Sequence, residues 1–396
     1  MNLLLRNVHW HSAGVEGDGD IRISGERIHE IGKGLAPQRR ERTIDLSGAL
    51  VLPGLINAHD HLEWNLLPRY GRPPYPNFSA YATDVHRPHD APIRELLQVD
   101  FRDRLLWGGY KNLISGVTTV CHHNPYGAFL ARGFPVRVVR DMGWSPSLSF
   151  SKNVAGDFKR AAGRPFVIHA AEGIDTAARA EIETLQRLGV LQNNTVIVHG
   201  VALQENEIAM LEKAGAGLIW CPVSNLRLYG QTAPIALLRG RLRLALGTDA
   251  ALTGAPTLFD ELRAALATGL ATAEELLEMV TTSAANILKL PDAGTLRAGA
   301  QADVIVLPDA GTTPAATLLQ SHSADLTMVI IGGEIHLADP NVFEIEANAV
   351  IGGRPKFLEG RVATLQRRIL KHFSANAAAI AATPLWKILQ APKTIQ

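Results

Sequence analysis

His59 and His61 stand one residue apart at the end of Leu50-Val-Leu-Pro-Gly-Leu-Ile-Asn-Ala-His-Asp-His61, an apolar run broken by Pro53 and Gly54. In extended backbone, residues i and i+2 share a face, so the two imidazoles project together while Asp60 points away. Such a pair is half of a metal site, or two surface histidines flanking a turn. Later runs supply a second half. Phe166-Val-Ile-His169, Val196-Ile-Val-His199 and Ala245-Leu-Gly-Thr-Asp249 each end on a potential ligand, and Thr118-Thr-Val-Cys121 is followed by His122 and His123. One strand-end histidine is an ordinary rim residue, but a His-x-His pair, two more histidines and an aspartate on separate runs form a set. Imidazoles with one carboxylate and no cysteine suit zinc, or another borderline ion such as iron, rather than calcium or magnesium. Three histidines and one aspartate leave a position for water, whose pKa such an ion lowers to about 7. Glu172, three residues after His169, is placed to shuttle protons, although a glutamate is also favoured at a helix start by the dipole.

The elements that must position these residues show as a change of rhythm. From 53 to 294, apolar runs alternate with amphipathic segments. The runs are Gly116–Val120, Pro135–Arg140, Arg164–His169, Asn194–His199, Ala216–Cys221 and Leu242–Thr248. The amphipathic segments include Ala177–Leu188, Gln204–Ala214, Thr257–Thr268 and Thr272–Ala285. This alternation predicts parallel βαβ units and, at this number of repeats, an α/β fold of the (β/α)₈ TIM-barrel type, whose C-terminal rim gathers the strand ends. The fourth unit is expected to be short, because only Ser147–Ser151 offers a strand between Arg140 and Arg164. Residues 1–52 and 295–340 read as short strands, the latter with a hairpin signal at Gly332-Gly333, and together predict a composite small β-sandwich. Residues 341–396 read as a helical extension with apolar spacing at Phe357, Val362, Leu365, Ile369 and Phe373, docked on the barrel or at the subunit contact of a homo-oligomer. Leu66–Pro92 is rich in proline, tyrosine and arginine, which predicts a functional loop rather than a disordered one.

The 396 residues are 46% hydrophobic and 19% charged, as expected of a chain that buries a sizeable core. A formal net charge of +1 gives no support to nucleic-acid or membrane-surface binding. Two cysteines are too few for a disulfide framework, and no apolar segment approaches the length of a membrane span; the Ala375–Ala382 tract is short and stopped by Pro384. A cytoplasmic enzyme acting on a small molecule is the expectation.

In order along the chain, Pro53-Gly-Leu-Ile-Asn-Ala-His-Asp-His61, Ser115-Gly-Val-Thr-Thr119, His169-Ala-Ala-Glu172, Val198-His-Gly200, Cys221-Pro-Val-Ser-Asn225 and Gly247-Thr-Asp249 resemble the metal-dependent amidohydrolase superfamily. They look most like its cytosine deaminase, adenosylhomocysteine deaminase and triazine hydrolase branch. Gly299-Ala-Gln-Ala-Asp-Val-Ile-Val306 and Val329-Ile-Ile-Gly-Gly333 are similar to the closing sandwich strands of that family, so the resemblance runs to about residue 338.

The resemblance implies one divalent ion, zinc or iron, on His59, His61, His169 and Asp249. It implies Glu172 as proton shuttle, His199 polarising the water or the reacting group, and Asp249 also taking a proton from the attacking water. The implied activity is that of an aminohydrolase (a deaminase), acting on carbon–nitrogen bonds other than peptide bonds: hydroxide attacks a ring carbon bearing an amino group, and ammonia leaves. An amide-type C–N hydrolase or a hydrolytic dehalogenase would use the same machinery. A non-catalytic scaffold would be expected to have lost ligands, and none is missing. The superfamily's two-metal layout would need a carboxylated lysine, for which Lys152 is the one near the right place; Glu172 at its spacing from His169 marks the one-metal branch. Pocket walls in such barrels come from rim loops, which nominates Glu63, Trp64, Arg69, Tyr70, His122, His123 and Asn225 as substrate contacts.

Overall fold

The computed structural model of the chain describes residues 1–67, 69–373 and 383–390. Pro68, the whole Ala375–Ala382 tract with Ser374 before it, and the last six residues of the expected helical extension lie outside the described residues. Eight parallel strands make the barrel: β1 (Leu55–Asp60), β2 (Val117–His122), β3 (Arg137–Val138), β4 (Gly143–Ser147), β5 (Phe166–Ala170), β6 (Thr195–His199), β7 (Gly217–Trp220) and β8 (Arg243–Leu246). Strands β4 to β8 pair in one parallel run and β1 to β3 in another. The circuit closes where the chain leaving β8 meets β1, the Asp249 amide donating to the His59 carbonyl at 3.1 Å. Among the described strands β3 and β4 do not pair, so the barrel is distorted at that seam.

Two expectations for the fourth unit need correction. Its strand is Gly143–Ser147 rather than Ser147–Ser151, and a full helix, Val154–Ala161, follows it. The strand escapes notice because Gly-Trp-Ser-Pro-Ser has no apolar run. It pairs on one side only, and an edge strand tolerates Pro146, which has no amide to give. Lys152 lies beyond the strand end and is exposed, outside the strand-end cluster.

Val167, Val198, Ile219 and Ala245 fill the barrel interior together with Ile56 and Ala58. Simple alternation from Ile56 and Ala58 would turn His59 outward. A register shift between Asn57 and Asp60 against β2 restores the inward aim of His59 and His61 and leaves Asp60 facing out. Irregularities of this kind recur beside active sites because they re-aim a side chain.

The N- and C-terminal strands form one mixed sheet flanking the barrel, in which Ala49–Pro53 joins Asn2–Ser12 to Val304–Pro308. Its residues alternate between two cores. Val51, Val304 and Val306 pack in the sheet's own core with Leu3, Ile21 and Ile330, whereas Leu50, Leu52, Ile305 and Leu307 join the large core around the barrel. Gly54 is the joint between sheet and barrel: a Cβ there would stand 2.2 Å from Thr118 Oγ1.

The tail is not uniformly helical. Ala349–Ile351 and Arg354–Leu358 form a hairpin that extends the sheet, so Phe357 is a strand residue. Gly352 and Gly353 supply its left-handed turn, and Gly360 separates it from the helix Val362–Leu370. Val362, Leu365 and Ile369 are buried on that helix, which is tied to the barrel by Arg368 on Asp103 at 2.6 Å. No helix among the described residues is long and apolar enough to cross a membrane.

Closure of the barrel at the ligand-bearing strands requires a glycine after β8. A Cβ at Gly247 would lie 2.6 Å from the His59 Cβ and 2.9 Å from its amide nitrogen. Gly247→Ala is expected to cost about 1–3 kcal/mol of stability by overpacking. Denaturant unfolding checks this, and an unchanged midpoint would show that the two strands have room to part.

Candidate active site

Four ligand atoms converge at the barrel rim. His169 Nε2 is 3.2 Å from His59 Nε2 and 3.3 Å from His61 Nε2, and Asp249 Oδ1 is 3.7 Å from both His59 and His61. An ion bound tetrahedrally at 2.0–2.2 Å would need edges of about 3.3–3.6 Å, so this donor set fits one. Hydrogen bonds aim the donors. His169 Nδ1–H donates to the Pro146 carbonyl, which leaves the Nε2 lone pair facing the cluster. Ser224 and Thr253 each donate to Asp249 Oδ2 at 2.7 Å, leaving Oδ1 for the centre. Burial lowers the pKa of His59 to about 3 and holds those of His61 and His169 below the ordinary histidine value, so the imidazoles stay neutral, the form that binds metal. His123 and His199 border the same centre, each within 4.8 Å of some of these donors.

Glu172 sits beside this cluster and outside the four-donor set. Its Oε1 accepts from the Tyr229 hydroxyl at 2.7 Å and lies 3.6 Å from His199 Nε2, while its Oε2 is buried with no partner. Burial raises its carboxyl pKa to about 7. His199 Nδ1–H donates to Asn225 Oδ1 at 2.8 Å, which turns Nε2 toward the centre. Three residues here are non-glycines in left-handed backbone, Ala171 (φ 52°), His199 (φ 77°) and Asp249 (φ 54°). Such conformations cost free energy and persist where the surroundings over-determine them.

A cavity of about 360 Å³ opens from the cluster. His61, His123, His169, Glu172, His199 and Asp249 line its base, and Trp64, Phe78, Tyr81, Val85, Phe150 and Leu252 contribute to its wall. Of the expected substrate contacts, Trp64 and His123 are therefore in the lining. The other five are not. Arg69 is exposed, and Tyr70 packs on the core with its carbonyl accepting from Arg227. His122 turns behind the rim, where its Nδ1 accepts from the Leu62 amide at 3.4 Å and stands 3.9 Å from Glu63. Glu63 accepts from Asn124, and Asn225 serves His199. These are supports, because the turn Leu62–Trp64 carries Glu63 into the protein and Trp64 toward the cavity.

The Pro-rich segment holds the helix Phe78–Val85, capped by Asn77, whose side chain accepts from the Ala80 amide. This helix is fastened to the segment that carries Glu172: the Phe78 amide donates to the Glu172 carbonyl at 3.0 Å and the Ile174 amide to the Pro76 carbonyl at 2.8 Å. Sequence reasoning missed this helix, although Asn77 three residues before Ala80 is an N-cap signal.

It also missed the support behind the His-x-His pair. Asp60 is fully buried, and its Oδ2 accepts from Lys111 Nζ (3.1 Å), Asn112 (2.8 Å) and Asn57 (3.2 Å) while Oδ1 accepts from Asn65 (2.8 Å). Lys111 also donates to Thr248 Oγ1 at 2.9 Å, and the Thr248 amide donates to Asn57 Oδ1 at 3.1 Å. This network pins β1 to the Thr248-Asp249 turn. A lysine in an amphipathic helix reads as solvated, and no local pattern links it to a carboxylate on another element.

The amidohydrolase family model matches residues 144–336. Among curated proteins the chain is 28% identical to a 5-methylthioadenosine/S-adenosylhomocysteine deaminase of Halobacterium salinarum, over 84% of this chain and 91% of that protein. Among solved structures it is similar to atrazine chlorohydrolase from Arthrobacter aurescens complexed with zinc, at a TM-score of 0.74 and 20% identity over 96% of this chain and 99% of that one. It is also similar to an adenosine deaminase from Xanthomonas campestris with bound zinc, at a TM-score of 0.71 and 19% identity with the same coverage.

Removing one partner of a buried ion pair leaves the other charge without compensation, at a cost of about 3–5 kcal/mol. Lys111→Met is expected to lose stability on that scale, and the double variant D60N/K111M to lose less. Equal losses in the single and double variants, measured by denaturant unfolding, would show that the pair does not act as a unit.

Proposed function

We propose that the chain is a metal-dependent hydrolase of carbon–nitrogen bonds of the amidohydrolase superfamily, and within it a one-metal aminohydrolase releasing ammonia from a small nitrogen heterocycle. The observation that carries this reading is Glu172. It is buried, it has one oxygen without a partner, its pKa is raised to about 7, and it stands at the cavity base beside the ligand cluster. A carboxyl group that gains and loses a proton near neutrality is suited to protonating a ring nitrogen and then the departing amine.

In this reading His59, His61, His169 and Asp249 would hold one zinc ion. When bound, the ion supplies Lewis-acid activation of water. Asp249 would be the base for the proton of the attacking water, its carboxylate held in place by Ser224 and Thr253 on Oδ2. His199, fixed by Asn225, presents Nε2 to the reacting group. Tyr229 keeps Glu172 Oε1 occupied, so that Oε2 is the oxygen free to exchange a proton. The deaminase names of the curated relatives support an amino group on a ring as the target. The free, buried Cys121 and Cys221 support a cytoplasmic setting. The division that goes with this reading is a catalytic barrel over 53–294 and a composite β-domain from 1–52 and 295–340.

Glu172→Gln is expected to lower ammonia release by about 10²–10⁴-fold while the protein keeps its metal. Screening zinc-loaded protein against aminated purines, pyrimidines, pterins and triazines checks this, and undiminished release by the variant would remove Glu172 from the reaction. Elemental analysis is expected to find one metal per chain in both the natural protein and Lys152→Ala. Two metals per chain, reduced by that substitution, would replace the one-metal reading.

A further inference from the structure

The helix Phe78–Val85 turns Phe78, Tyr81, Ala82 and Val85 into the cavity. These are positions i, i+3, i+4 and i+7, a single face of the helix. An apolar helix face is ordinarily spent on the core, and this one is shared with the substrate space. Trp64, Ile93, Phe150 and Leu252 add further apolar lining. Among the described residues no lysine or arginine lines the cavity, and its only carboxylates are Glu172 and Asp249 at the base; besides the base histidines, Tyr81, His86, Asn124 and Thr253 add polar side chains to the lining. The Tyr81 hydroxyl is the polar atom of the helix face and makes no hydrogen bond among the described residues.

We propose that the substrate is an uncharged aminated ring carrying an apolar substituent, with the substituent packed on the Phe78/Tyr81/Ala82/Val85 face and the ring edge read by the Tyr81 hydroxyl. The proposal rests on the aminohydrolase reading and narrows it. A carboxylate, phosphate or zwitterion at the end of the substituent would be set against apolar surface with no lysine or arginine to receive it, and a ribosyl group would leave several hydroxyls with Tyr81 alone on the helix face. An alkyl or thioether group loses nothing there and gains by leaving water.

The test uses zinc-loaded full-length protein and two matched series. One is 9-butyladenine, 9-(3-carboxypropyl)adenine and adenosine. The other is a diamino-triazine bearing an N-butyl or an N-(3-carboxypropyl) group. In whichever series releases ammonia, kcat/KM for the butyl member is expected to exceed that of its polar counterparts at least tenfold. Ala82→Asp is expected to abolish that preference at unchanged zinc content, and Val85→Thr, a gentler change on the same face, to reduce it. A carboxypropyl or ribosyl substrate that matches or beats the butyl one overturns the proposal and leaves the aminohydrolase reading standing, as does a preference that survives both substitutions. No ammonia from either series or from the wider screen overturns the aminohydrolase reading and this proposal with it.

Discussion

Three imidazole nitrogens and a carboxylate oxygen, with His169 at 3.2–3.3 Å from His59 and His61 and Asp249 at 3.7 Å from the same two, are a costly arrangement for a protein to hold. Lone pairs face lone pairs, and the groups have given up water to do so. A cation at the centre reverses the sign of every one of those contacts, and the surrounding structure is arranged to hold the donors ready for it. Pro146 fixes the His169 tautomer, Ser224 and Thr253 take the far oxygen of Asp249, and a five-residue polar network holds Asp60 behind the histidine pair. Gly247 and Gly54 let the strands come close enough for this, because either one would meet its neighbour if it carried a Cβ.

The same constraint accounts for the strained backbone. Ala171, His199 and Asp249 leave their strands in left-handed conformations that non-glycine residues avoid. A strand running straight on would carry its terminal side chain past the barrel axis, whereas a turn at that residue brings it back over the mouth. The stability spent at these strand ends comes from the continuous apolar cores below, in which strand residues from Ile56 to Ala245 are fully buried.

Much of the fold could be read from the sequence because it depends on local periodicity. His59 and His61 share a face through a two-residue period, and His169, His199 and Asp249 stand at the ends of apolar runs that only a buried parallel strand needs. The details that depend on partners distant in sequence were not legible. Gly143–Ser147 is a strand by virtue of pairing with β5, and its own composition gives no hint of it. Lys111 is buried because Asp60 and Thr248 receive it. Phe357 belongs to a strand because a Gly-Gly turn folds it onto the sheet, although its spacing from Val362 suits a helix. At the site, Trp64 and His123 reach the cavity and Arg69 does not, a difference fixed by how the rim turns rather than by residue type.

The helix Phe78–Val85 and the loop bearing Glu172 are hydrogen-bonded to each other through their backbones. On the roles proposed for these two elements, specificity and proton transfer are not separate modules. In many barrels a rim loop can be exchanged to admit a new substrate while the catalytic groups stay where they are. In this protein an insertion or exchange in the Pro-rich segment would also shift the loop that holds Glu172. Lineages sharing this clamp should diversify by point changes on the Phe78–Val85 face rather than by loop replacement, so that the length of the segment is held while its side chains vary.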